Sequence, residues 1–148
     1  FPTRRSSDLG DHPERLIAGD PEAFQRQILT GLGGGADLYR PDVLSHYVSA
    51  SSTPEAIAAM CECFRAGFGI DRDHDAADRE AGRTITCPTL VMWGERGVIA
   101  QHFDLPAVWD RWCDDVRYAA LPSGHFIPEH APDEAFATLD RFLREAPA

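Results

Sequence analysis

Apolar positions in the first half of the chain recur at helical spacing, and in the second half they gather into short runs. Phe24, Ile28 and Leu32 fall at i, i+4 and i+8, one stripe of a helix. Asp20 stands ahead of them as N-cap, with Pro21 at the first helical position and Glu22 in the first turn, and Gly33-Gly34-Gly35 closes the segment. Tyr39-Arg40-Pro41-Asp42 signals a second helix with Val43, Tyr47 and Val48 on one face. Thr53, Pro54 and Glu55 repeat the N-terminal signature and predict a third helix, through Ile57, Met60, Cys61 and Phe64 towards Gly67 or Gly69. Asp71 to Gly82 is rich in charge and alanine and reads as a short surface helix.

Beyond residue 82 the pattern changes. Thr89–Trp93 is an apolar run between Pro88 and Gly94, the signature of a buried parallel strand. A loop, a helix over Pro106 to Cys113, a strand over Val116 to Leu121 and a Ser123–Phe126 loop follow. The last helix spans Asp133 to Arg144, with Ala135, Phe136, Leu139, Phe142 and Leu143 on its apolar face. Trp109 and Trp112 are expected to pack their helix on the sheet rather than line a pocket, and Trp93 to serve mainly the core, with the active-site floor as its alternative. The predicted architecture is three helices followed by a β-α-β-loop-α tail. Two strands do not make an independently stable sheet, and a parallel pair needs both faces covered. Exposed strand edge and apolar surface are therefore expected. Phe1–Gly10 fits nothing downstream and is set aside as an artefactual or disordered leader, with the natural protein expected to begin upstream.

Composition narrows the partners. A net charge of −10 and a pI near 4.9 argue against nucleic acid and against an anionic membrane surface. No apolar run approaches the roughly 20 residues of a membrane span, and no secretory signal is visible. The four cysteines, Cys61, Cys63, Cys87 and Cys113, do not form the framework of a secreted scaffold and are expected to be free thiols in the cytoplasm. Cys61-x-Cys63 lacks a second pair at zinc spacing. Asp71, Asp73, Asp75 and Asp78 lack the glycine and terminal glutamate of a calcium loop. The expectation is no metal and no cofactor.

The candidate chemistry lies at Leu121-Pro122-Ser123-Gly124-His125-Phe126. A histidine directly after a glycine, on a loop between a strand and a helix, can be presented to a cleft as a general base. From about Pro13 to Arg144 the chain resembles the C-terminal half of haloacetate/fluoroacetate dehalogenases, a branch of the α/β-hydrolase superfamily. The likeness rests on Cys61-Glu62-Cys63-Phe64-Arg65-Ala66-Gly67, Ile85-Thr86-Cys87-Pro88 leading to Trp93-Gly94, and Val108-Trp109 with Trp112. Asp115-Val116, Ser123-Gly124-His125-Phe126, Pro128-Glu129 and Ala131-Pro132-Asp133 complete it.

The resemblance implies an α/β class: the C-terminal fragment of an α/β-hydrolase fold, comprising part of a helical cap (11–70) and the last two core strands with their helices (71–148). It also implies two-step chemistry, in which an aspartate displaces halide and a histidine activates water against the resulting ester. Only the histidine transfers, as His125. No G-x-D-x-G or G-x-S-x-G elbow occurs, so the 148 residues alone are expected to be inactive. The loop Glu95-Arg96-Gly97-Val98-Ile99-Ala100 holds no aspartate, and Glu95 is a weak substitute for the acid. Phe64 stands where the family has a halide-binding tyrosine, which predicts weakened fluoroacetate activity. The expected partner is a halogenated short-chain acid or ester, with a homodimer allowed. The alternatives are an ester or epoxide hydrolase of the same fold, or a non-catalytic hydrolase-like protein.

Overall fold

The computed structural model describes residues 10–33 and 35–145. Of the leader set aside above, Phe1–Leu9 lies outside the described residues, as does Gly34 of the glycine run. The chain divides into two compact units. One runs to Leu29 and resumes over Tyr39–Gly82; the other holds Thr30–Leu38 and continues from Arg83.

The first unit is helical: α1 (His12–Ile17), most of α2 (Pro21–Gly33), α3 (Pro41–Ser51), α4 (Pro54–Phe68) and α5 (Ile70–Glu80). The predicted caps are in place. Asp20 accepts from the Ala23 amide at 3.1 Å and Thr53 from the Ala56 amide at 3.2 Å. Helix α4 packs against α1, α3 and α5, and its buried Ile57 and Cys61 meet Ile17, with Phe24 and Met60 against them. The stripe predicted on α2 is corrected: Ile28 and Leu32 are 38% and 46% exposed, while Gln25 is buried at 5%. Its side-chain amide donates to the Ser51 carbonyl at 3.1 Å, and a polar group so satisfied can be buried at little cost. On α3 the buried positions are Leu44 and Val48, and Tyr47 stays at the rim with its ring edge-on to Tyr39.

Arg65 ties this unit together. Its Nη1 donates to Glu14 Oε1 and, at 2.7 Å, to Glu62 Oε1; Nη2 donates to Glu14 Oε2 at 2.8 Å and to the Gly10 carbonyl. The fork on Glu14 is the two-bonded geometry that guanidinium and carboxylate favour. It holds the Glu14 carboxyl below the usual carboxylate range and pushes the Arg65 guanidinium further up.

The second unit is built on β1 (Thr89–Gly94) and β2 (Val116–Leu121), a parallel pair in register from Thr89↔Val116 to Gly94↔Leu121. Both strands lie where the apolar runs predict them. Between them stand α6 (Val98–His102) and α7 (Leu105–Trp109); after β2 come α8 (Ile127–His130) and α9 (Pro132–Glu145). Helix α7 ends at Trp109, not Cys113, because Cys113 forms a parallel bridge with Ile85. The Ile85 amide donates to the Trp112 carbonyl at 2.7 Å, which holds the backbone extended there. On α9, Ala135 and Phe142 are partly buried, but Phe136, Leu139 and Leu143 are 71%, 43% and 65% exposed. Among the described residues no helix is long and apolar enough to cross a membrane.

Candidate active site

Because β1 and β2 run parallel and end level, Gly94 opposite Leu121, the loops that follow them emerge side by side. Ligands of α/β sheets bind at this edge, outside the carboxyl ends of the strands. The two loops are joined through their backbones. The Glu95 amide donates to the Leu121 carbonyl at 2.9 Å and the Arg96 amide to the Ser123 carbonyl at 3.0 Å. The Arg96 guanidinium adds a bond to the Pro122 carbonyl at 2.8 Å.

This joint requires glycine at position 94. A Cβ there would stand 2.0 Å from the Gly124 carbonyl oxygen and 2.6 Å from both the Ser123 carbonyl oxygen and Oγ. Ser123 itself is fully buried at 0% exposure. The Trp-Gly pair that ends β1 therefore has a steric purpose: it lets the second loop cross directly over the strand end.

The crossing delivers His125 to a cavity of about 230 Å³. Trp93, Gly94, Ile99, Leu105 and Trp109 line it with His125. The imidazole is exposed and rests against the Phe126 ring in an edge-to-face contact, centroids 4.8 Å apart at 83°. Among the described residues no carboxylate hydrogen-bonds it. Glu95 sits on the adjoining loop with its side chain exposed. What the sheet unit supplies is one imidazole at the mouth of an apolar hollow, on a turn fixed by backbone contacts.

Phe64, the other residue singled out from the sequence, lies on α4 in the helical unit and is 64% exposed. Phe68, one turn on, is 65% exposed, so the helix presents two bare aromatic rings on one face. Phe64 is therefore not packing its own unit.

Three residues matter here that the sequence did not single out for the site. Trp93 and Trp109 line the hollow, where core roles were expected. His130 accepts the Gly124 amide proton at Nδ1 over 3.3 Å. The available signal was Pro128, which can open a helical turn that brings residue 130 back beneath residue 124.

All four cysteines are free, Cys61 and Cys113 buried and Cys63 and Cys87 exposed. Burial pushes the Cys61 thiol up, and the Glu14 carboxylate adds to the shift, so it stays protonated and unreactive. Among the described residues no group of three or more potential metal ligands comes together.

Comparison with known proteins gives these residues a setting. A fluoroacetate dehalogenase from Burkholderia sp. is 37% identical over 136 residues, covering 91% of this chain and 44% of its own length. A solved structure from Nostoc sp. PCC 7120, assigned as an α/β hydrolase, superposes with a TM-score of 0.85 at 38% identity, over 92% of this chain and 46% of that one. A variant of a Pseudomonas aeruginosa protein assigned as an epoxide hydrolase gives a TM-score of 0.83 at 41% identity, over 95% and 47%. No family model matches the chain. The chain thus spans about half the length of the relatives it matches. Its fold is that of the C-terminal half of an α/β hydrolase, and it resembles the haloacetate dehalogenase branch of that superfamily.

Proposed function

We propose that the chain is the base-bearing half of a hydrolase that breaks the carbon–halogen bond of short haloacids, with His125 activating the water. The observation that carries this reading is the placement of His125: an exposed imidazole at the mouth of an apolar hollow, on a loop crossing a strand-terminal glycine. The 37% identity to a fluoroacetate dehalogenase supports the substrate class. In the first step a carboxylate from the rest of the protein attacks the halogen-bearing carbon; the new C–O bond forms as halide leaves with the C–X electrons. In the second step His125 takes a proton from water, the hydroxide attacks the ester carbonyl, and the acyl C–O bond breaks. The hydroxyacid leaves carrying the hydroxide's proton with the carboxylate restored, and His125 passes its own proton to solvent.

Phe64 sharpens the substrate. A phenyl ring cannot donate a hydrogen bond to departing halide, and fluoride depends on such donors more than chloride or bromide does. The full-length protein is therefore expected to prefer chloro- and bromoacetate to fluoroacetate, and Phe64→Tyr to narrow the gap by about tenfold, the rate equivalent of one hydrogen bond. A second reading, epoxide or ester hydrolysis with the same role for His125, draws support from the Pseudomonas aeruginosa structure. A panel of haloacetates, epoxides and esters given to the full-length protein separates the two. Halide release from chloroacetate with inert epoxides supports dehalogenation, and the reverse overturns it.

A further inference from the structure

We propose that His130 is a positioning residue, whose neutral ring holds the turn that presents His125. Gly124, the residue before His125, is gripped at both polar atoms of its backbone. Its amide donates to His130 Nδ1 at 3.3 Å. Its carbonyl oxygen accepts from the Ser123 hydroxyl at 3.3 Å and sits against Gly94, where an added Cβ would come within 2.0 Å of it.

The acceptor is itself anchored. His130 ends α8, its own amide donates to the Phe126 carbonyl at 3.1 Å, and its side chain is half-buried. The helical turn that starts just after His125 therefore folds back and fastens the residue just before it. An imidazole nitrogen accepts only when unprotonated, so this contact fixes the tautomer of His130 with its proton on Nε2. A ring in that state, pinned through the backbone, sets the direction in which residue 125 leaves the turn. The inference rests on the reading of His125 as the base; the contact itself does not. His130 touches no reacting atom and acts through His125 on the second step alone, so kcat and KM should fall together and kcat/KM should hold.

The test is made in the full-length protein with His130→Ala and His130→Asn, the latter keeping an acceptor oxygen near the site of Nδ1. Hydrogen exchange at the Gly124 amide should accelerate on the order of tenfold in His130→Ala, the equivalent of one hydrogen bond, and return in His130→Asn. Protection of the Val91 amide in β1, unchanged in both, would show that the sheet remains folded. Halide release should follow: kcat down about tenfold in His130→Ala with kcat/KM held, and recovered in His130→Asn. Equal Gly124 exchange in wild type and His130→Ala, or no recovery in His130→Asn, overturns the proposal. Full turnover in His125→Ala would instead remove the base assignment and leave the Gly124 exchange result standing.

Discussion

In the helical unit the long-range ties are made by side chains: Arg65 on Glu14, and Gln25 on the Ser51 carbonyl. In the sheet unit the two site loops meet backbone to backbone, from Glu95 to Leu121 and from Arg96 to Ser123, with no room for a side chain at Gly94. The Arg96 and His130 side chains each add one bond to a loop backbone. The contrast has a physical basis. Helices satisfy their own backbone and can meet only through side chains. Loops beyond strand ends have free amides and carbonyls and lock directly onto each other. A catalytic side chain on such a loop inherits backbone precision, whereas a helix-borne ring such as Phe64 can be exchanged without moving its neighbours.

Glycine substitution offers the largest test of this contrast. Gly94→Ala must displace the backbone of the His125 loop and should cost about 3 kcal/mol, read as a fall in the denaturation midpoint. A loss below about 1 kcal/mol would mean the loop adjusts easily and that the backbone joint is not rigid. Second comes Arg65→Met. It leaves the half-buried Glu14 carboxylate without its partner, and amide exchange in α1 should rise while that in β1 does not. The acid side of the same pair follows from its sign. Glu14 is held below the usual range, so its contribution is complete above the ordinary carboxylate range and is lost as pH falls through the lowered value. That acid limb should disappear in Arg65→Met.

A smaller and opposite effect is expected on the helical side. Gly67 lies within α4 with nothing inside 4 Å of an added Cβ, so Gly67→Ala should stabilise by about 0.5–1 kcal/mol. Smallest is Tyr118→Phe in the sheet unit. The Tyr118 hydroxyl donates to Asp110 at 2.6 Å, and burial followed by that carboxylate pushes its pKa up to about 12. Its contribution is complete below the ordinary tyrosine value and is lost as pH rises through about 12, so the phenylalanine variant should lose that alkaline limb in a melting series.

Much of this molecule can be read from residue pattern alone. Val116–Leu121 and the caps at Asp20 and Thr53 are local signals, and local signals survive in the fold. What escapes the sequence is set by distant partners. Gln25 is buried because Ser51, 26 residues away, offers a carbonyl, and α7 stops short because Ile85 claims Cys113. The short helices α6 and α8, five and four residues long, contain too few positions for a helical period to show. Of the site, the Gly-His pair was legible from its neighbours. The His130 contact was not, because one histidine among polar residues carries no pattern until the turn folds back.

The central claim is that His125 activates the water that frees a covalent ester. It is tested most directly by mixing chloroacetate with the full-length His125→Ala protein and following halide release alongside the intact mass of the enzyme. The account predicts a single burst of chloride, then arrest, with the protein heavier by one carboxymethyl ester. Continued turnover at the wild-type rate, with no mass gain, would contradict it.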